Sequence, residues 1–275
     1  MAPMPTDAPE PSGPELVGVV LAAGAGTRLQ PLTRFRPKAL CPVGNRPLVD
    51  WAIERALSAP IHRVAVNVHH DRQALQAHLH RLRIHDGPQG NLQLRVPLHV
   101  SVEEHEALGT AGALGHLRPW IEGAAVLVLN ADTWCPGSLE PFVAGWDGAR
   151  IRLLVSGGDR LTPTSRIAAA LMPWDEVARL EPTPSGLYEA SWRAAAAEGR
   201  LEVVRHDGPF VDCGTPAQYL EANLLASGGA SVIEPGAVVE GTVEECVLWA
   251  DAVVEPGEHL RRAIRLAGTL TVLVR

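Results

Sequence analysis

The chain has 275 residues, 46% of them hydrophobic, with a formal net charge of −7 and no run of eighteen apolar residues. It can bury a sizeable core, offers no helix to span a bilayer, and must meet any phosphate ligand with a local cluster of cations, since its overall charge disfavours nonspecific nucleic-acid binding. The four cysteines, Cys41, Cys135, Cys213 and Cys246, stand far apart with no C-x-x-C pair, which fits reduced thiols of a cytoplasmic protein better than a disulfide framework or a zinc site.

Residues 1–14 hold five prolines and no basic residue, and read as a disordered arm. An apolar run over 16–22 has strand length and feeds the turn Gly24-Ala25-Gly26-Thr27-Arg28. Leu48, Trp51, Ala52, Arg55 and Ala56 then fit a helix over 47–58. A β-branched strand follows at 62–68, and a helix over 71–82 carries Leu75, Leu79 and Leu82 on one face. Residues 92–102 predict one or two strands and 109–117 a helix opened by Gly109-Thr110. The continuous apolar run 124–129 is what a strand buried on both faces of a parallel sheet requires. This alternation predicts a doubly wound, mostly parallel Rossmann-like α/β sheet, with a ligand crevice at the C-terminal ends of the strands.

The second half is less regular. Strands are expected at 151–155 and 201–206, and helices at 174–180, 188–197 and 215–227, the last opened by Thr215-Pro216. From Ser231 onward β-branched residues recur at steps of six, as in a short left-handed β-helix. About four rungs are too few for an independent solenoid, so this tail reads as a cap or a homo-oligomer contact that adds stability or association rather than chemistry. The expected division is an arm (1–14), a catalytic domain (15–228) and a β-helix-like tail (229–275).

The densest chemistry lies in residues 21–48, Leu-Ala-Ala-Gly-Ala-Gly-Thr-Arg-Leu-Gln-Pro-Leu-Thr-Arg-Phe-Arg-Pro-Lys-Ala-Leu-Cys-Pro-Val-Gly-Asn-Arg-Pro-Leu. Lys38 is the single lysine of a chain with 23 arginines. A compact, flexible ammonium has been kept where a planar guanidinium would not serve equally. A strand running into a glycine turn exposes backbone N–H groups that can cradle phosphate. The loop lacks the Gly-Lys-Ser/Thr ending of a P-loop, and Leu29 stands where a dinucleotide fingerprint needs its third glycine. Eleven scattered histidines, with only His69-His70 adjacent, give no metal-site spacing.

Residues 21–48 resemble the signature of sugar-nucleotide pyrophosphorylases, the sugar-1-phosphate nucleotidyltransferases. Further matching segments are Val66 to His70, Glu106 to Leu114, Leu129-Asn130-Ala131-Asp132, and Val211 to Pro216 with Tyr219 and Ala222-Asn223. Among relatives the chain looks nearest to mannose-1-phosphate guanylyltransferase-like and N-acetylmuramate-1-phosphate uridylyltransferase-like proteins. The resemblance implies a cytoplasmic enzyme that takes a nucleoside triphosphate and a sugar 1-phosphate, with no nucleic-acid or membrane partner. Leu21, Ala22, Ala23, Gly24, Gly26, Thr27 and Arg28 would bind the nucleotide, with Gly109 and Thr110 on the base side. Arg28, Lys38 and Asp132 would be catalytic, Asp132 and Asp212 would hold Mg²⁺, and Asn130 would lie on the sugar side.

One departure stands out. Family members carry, between the two aspartates, a hairpin ending in Glu-Lys-Pro whose lysine meets the sugar phosphate. Here 156–171 contains no lysine and the hairpin reads as deleted, while Leu180-Glu181-Pro182 lacks the cation. Arg160 and Arg166 are the candidate substitutes. The competing reading is a nucleotide- or sugar-nucleotide-binding regulatory protein that lost turnover with that hairpin.

Overall fold

The computed structural model describes residues 14–70, 72–84 and 94–274. Seven strands form the central sheet: β1 (Leu16–Leu21), β2 (Val64–Val68), β3 (Leu98–Val102), β4 (Ala125–Asn130), β5 (Ile151–Ser156), β6 (Arg166–Met172) and β7 (Leu201–His206). Their spatial order is β7-β5-β6-β4-β1-β2-β3. All neighbours run parallel except β6, which is antiparallel to both β4 and β5. From β1 the chain steps outward to β2 and β3, then returns to place β4 on the other side of β1. Such a reversal opens a crevice at the strands' C-terminal ends. The register sets Leu21 opposite both Asn67 and Asn130, which aligns three of those ends.

Apolar residues on both faces of β1 explain why helices cover the sheet on two sides. Leu16 and Val20 join Val49, Ile53 and Ala56 of α1 (Leu48–Leu57) and Leu75 and Leu79 of α2 (Arg72–Ile84) in one core. Val17 and Val19 join Ala111, Leu114 and Leu117 of α3 (Gly109–Ile121) in the other. Alternation along a strand sends successive side chains to opposite layers, so six residues of β1 anchor both.

The strands and long helices expected from the sequence are present, with shifts at their ends. The arm falls outside the described residues except for Pro14, and Asp71 and residues 92–93 also lie outside them. The helix expected over 174–180 closes early, at Trp174–Val177, because the chain beyond it runs along α3. Gly109, Gly112 and Gly115 recur on one face of that helix and admit the backbone of 181–185. A Cβ at Gly112 would lie 2.3 Å from the Thr183 carbonyl oxygen, and one at Gly115 2.4 Å from that of Glu181. Between the aspartates, where the Glu-Lys-Pro hairpin is expected to be missing, β5 runs through residues 157–165 directly into the antiparallel strand β6.

The tail forms a three-sided parallel stack. Val232 pairs with Val247 of β8 (Val247–Val254), which pairs with Ile264 of β9 (Ala263–Gly268). Val238–Val239 stacks on the end of β8, and Thr242–Glu244 on His259–Arg261. Val247, Trp249, Ile264 and Leu266 share a core with Leu29, Leu32, Cys41 and Val43 of the glycine-loop region and with Tyr219 and Leu220 of α4 (Pro216–Ala226). The stack therefore does not rely on its own rungs for burial.

Because backbone rather than a flexible side chain opposes the added methyl group, Gly112→Ala is expected to destabilise the fold by about 1–3 kcal/mol despite alanine's better helix propensity. Denaturant unfolding measures this, and an unchanged midpoint would show that segment 181–185 yields freely.

Candidate active site

The site begins where β1 stops. Ala22 N–H donates to Asn67 Oδ1 at 2.7 Å, Asn67 Nδ2 donates to Glu103 Oε1 at 2.6 Å, and Glu103 Oε2 accepts from Leu108 N–H at 2.9 Å. Asn67 and Glu103 are 3% and 2% exposed. This buried relay ties the start of the glycine loop to the turn that opens α3, and buried polar groups so satisfied fix geometry. Sequence reasoning missed Glu103; its signal was an acidic residue just past the end of β3.

Within the loop, Gly26 has φ 62°, and a Cβ there would lie 2.8 Å from Thr33 Cγ2 and 2.9 Å from Lys38 Cβ. The position needs glycine on both conformational and steric grounds. Gly24, by contrast, faces open space. Lys38 opens a short helical turn, Lys38–Leu40, and is only 7% exposed. Its Nζ lies 2.9 Å from Asp132 Oδ2 and 3.7 Å from Asp212 Oδ1. Arg28 Nη2 lies 3.9 Å from Asp212 Oδ2, on a largely exposed side chain.

Asp132 follows β4 directly, whereas Asp212 arrives from far along the chain. A two-residue antiparallel ribbon, Thr133–Trp134 with Val211–Asp212, brings them together, and Cys213 N–H donates to the Asp132 carbonyl at 3.0 Å. The ribbon continues into α4, where Thr215 Oγ1 caps the helix by accepting from Gln218 N–H at 3.3 Å. A cleft of about 160 Å³ results, bordered by Gly24, Gly26, Thr27, Arg28, Lys38 and Asp132. The two aspartates remain partly exposed while the ammonium between them is buried.

A second cavity, of about 310 Å³, lies on the other side of Leu21. Asn130, Leu161, Ile167, Tyr188, Glu189 and Trp192 contribute to its wall, and among the described residues no lysine, arginine or histidine does. Leu21 and Thr110 border it too, and Thr110 Oγ1 accepts from Leu187 N–H at 2.8 Å, so this hydroxyl supports the cavity wall. Gly109 (φ 69°) sits against the Ser185 carbonyl, Ala22 borders the smaller cleft, and Ala23 is buried.

The structure brings neither Arg160 nor Arg166 into either cavity. Ile167 lines the larger one, so strand alternation turns Arg166 to the opposite face. There its guanidinium lies 5.3 Å from the Phe210 ring centroid and reaches Ser156 Oγ at 3.4 Å. Arg160 is exposed in the hairpin turn.

Cys41 and Cys213, which flank the site in sequence, are buried thiols whose pKa burial pushes up to about 12. Burial also raises the Cys135 and Cys246 thiols. Thiols held protonated are not nucleophiles.

Residues 17–156, from β1 through β5 with the glycine loop, Lys38 and Asp132, match the family model described as Nucleotidyl transferase. The chain belongs to the nucleotidyl transferase family. Among its relatives, an N-acetylmuramate alpha-1-phosphate uridylyltransferase of Neisseria meningitidis serogroup B is 32% identical over 241 residues, covering 76% of this chain and 97% of that one. Another uridylyltransferase of the same description, from Caulobacter vibrioides, is 29% identical over 75% of this chain and 95% of its own. A crystal structure of UDP-glucose pyrophosphorylase complexed with UDP-glucose superposes with a TM-score of 0.62 over 78% of this chain and 99% of that one, at 17% identity, a likeness of fold. The resemblance to sugar-1-phosphate nucleotidyltransferases drawn from residues 21–48 thus extends across most of the chain.

This nucleotidyl transferase should react slowly with a thiol reagent at pH 8. All four thiol pKa values lie above the ordinary range, which keeps the thiolate scarce. Four equivalents should appear only on denaturation. Rapid native labelling of Cys41 would contradict the closed packing beneath the Lys38 turn.

Proposed function

We propose that the enzyme joins a nucleoside triphosphate to a sugar 1-phosphate, giving an NDP-sugar and pyrophosphate. A sugar-phosphate oxygen attacks the α-phosphorus, and the bond to the bridging oxygen of the β-phosphate breaks as pyrophosphate leaves. Two polyanions must approach, so the protein's work is positioning and charge neutralisation. The observation that carries the reading is the Lys38 ammonium held between two carboxylates at the mouth of the glycine cleft.

In this reading the open backbone around Gly24 to Thr27 cradles the triphosphate, Lys38 offsets charge growing at the α-phosphate, and exposed Arg28 meets the leaving pyrophosphate. Asp132 and Asp212 suit a hard divalent cation, Mg²⁺, as partly exposed oxygen donors at the cleft. Among the described residues no cluster of three metal-binding side chains exists, so phosphates and water would complete the shell, as Mg²⁺ prefers. Such an ion, when bound, would neutralise phosphate charge at the reacting centre. The nucleoside triphosphate supply and the protonated, unpaired cysteines favour a cytoplasmic setting. Ile233, Val238 and Val239, apolar and exposed on the tail, are the proposed subunit contact.

The second cavity is assigned to the sugar. Among the described residues its wall has apolar side chains, hydroxyls and the Asn130 amide, with Glu189 as the one charged group. An unpaired carboxylate repels an anionic substituent and accepts hydrogen bonds from sugar hydroxyls. The reading therefore favours a sugar uncharged away from its phosphate.

Lys38→Met should lower kcat by on the order of 10²-fold, the scale of losing one aligned donor in a transition state. Asp132→Asn should collapse turnover and weaken the divalent-ion dependence, with a lower but still cooperative thermal melt because the Lys38 ammonium keeps only the Asp212 carboxylate. Pyrophosphate release is the assay for both, and a normal kcat for Lys38→Met would exclude a role for the ammonium in the reaction. A panel of neutral and carboxylate-bearing sugar 1-phosphates then tests the cavity. The neutral class should have the higher kcat/KM, and Glu189→Gln should narrow the gap. A preference for carboxylate-bearing sugars would reverse the assignment of the sugar class.

A further inference from the structure

The Lys38 turn is gripped on both sides by the tail. On its N-terminal side, Arg36 makes a two-pronged pair with Glu234, Nη1 to Oε1 at 2.6 Å and Nη2 to Oε2 at 2.8 Å. Glu234 is 8% exposed, and its Oε2 also accepts from Ala250 N–H at 2.7 Å, which fixes the carboxylate to β8. The same guanidinium lies 4.5 Å from the ring centroid of Trp249, also in β8. On the C-terminal side, the Pro42 carbonyl accepts from Tyr219 Oη at 2.5 Å, and that hydroxyl accepts from Trp249 Nε1–H at 3.1 Å. Asn45 Nδ2 donates to the Ile233 carbonyl at 2.9 Å.

These contacts converge on one segment. Arg36 is two residues before the lysine, Pro42 four after it, and the intervening chain turns once. Bidentate arginine–carboxylate pairs fix direction as well as distance, and stacking on Trp249 restricts the guanidinium further. Tail residues thus determine where the backbone enters and leaves the turn that carries the ammonium. Glu234 touches neither the cleft nor its borders.

We infer that the C-terminal stack is a positioning element for the reaction, with Glu234, through Arg36, and Trp249, through Tyr219, setting the place of Lys38. This rests on the assignment of Lys38 as the reacting cation. It departs from the division of labour expected from the sequence, in which the tail adds stability or association and no chemistry.

The test uses the full-length chain. Glu234→Ala should lower kcat by about tenfold, the cost of misplacing a catalytic group by a fraction of an ångström to one ångström, while KM for the nucleotide changes by less than about threefold. Glu234→Gln, which keeps an acceptor for Ala250 N–H, should recover part of that loss. Tyr219→Phe reads the second grip if Glu234→Ala folds poorly, and should also lower kcat selectively. Glu244→Ala, elsewhere in the tail beside Arg261, should leave kcat unchanged. The decisive measurement is non-additivity: in a Lys38→Met background, Glu234→Ala should change the residual rate by less than about twofold. Retention of full kcat by both Glu234→Ala and Tyr219→Phe would overturn the inference, as would an undiminished effect of Glu234→Ala in the Lys38→Met background. A normal kcat for Lys38→Met by itself would instead remove the functional reading on which the inference stands.

Discussion

A buried ammonium imposes more on this fold than any other single group. Removing Lys38 from water without compensation would cost several kcal/mol, and the compensation comes from two carboxylates that lie far apart in sequence. Their convergence requires β4 to end at the crevice, the Thr133–Trp134 and Val211–Asp212 ribbon to close, and α4 to be capped directly after it. A compact charge suits this geometry. At 2.9 Å from one carboxylate and 3.7 Å from the other, it occupies a gap where a guanidinium fork would need a planar partner. Exposed Arg28, 3.9 Å from Asp212, is screened by water and adds little to this balance. The two partly exposed carboxylates that face the buried ammonium at this cleft are oxygen donors of the kind that suit a divalent cation.

The features legible in the sequence are those written within short windows. The apolar runs 16–22 and 124–129 that became β1 and most of β4 have no polar residue with which to face water, and so dictate a sheet covered on both sides. Gly24 and Gly26 lie next to a strand end, and Gly26 tolerates no Cβ because Thr33 and Lys38 crowd it. The ribbon that pairs Asp212 with Asp132 carries no periodicity of its own, and only resemblance to a family joined them. The Asn67–Glu103 relay and the Arg36–Glu234 pair are invisible for the same reason: each partner alone is an ordinary polar residue, and their meeting is a property of the topology.

Arg160 and Arg166 illustrate the opposite failure. Charge and position in the sequence made them candidates for the sugar phosphate, but the strand's period of two decides which face a side chain serves. Ile167 faces the cavity, so Arg166 cannot. The connection from β5 to β6 supplies Leu161, Thr162 and Ser165 to the cavity wall and, among the described residues, no cation. Among the described residues Glu189 is the one charged group of that wall, while Arg28 and Lys38 border the cleft on the far side of Leu21, so the two cavities differ in polarity.

The tail's few rungs raise a stability question that its packing answers. Too short to bury a solenoid core unaided, the stack keeps a small interior of Cys246, Leu248, Ala252, Val254, Leu260 and Ala263, and commits its other face, with Trp249 and Ile264, to the core beneath the Lys38 turn. Stability and the placement of the ammonium therefore draw on adjoining contacts. A side chain in that shared core, such as Trp249 at 2% exposure, cannot be truncated without leaving a cavity under the turn and removing one partner each from the Tyr219 hydroxyl and the Arg36 guanidinium, which keep Pro42 and Glu234. Polar contacts at the edge of the core, above all the Arg36–Glu234 fork, orient the turn without filling that volume. Packing and orientation are thus separable in this region, and the polar fork carries the orientation.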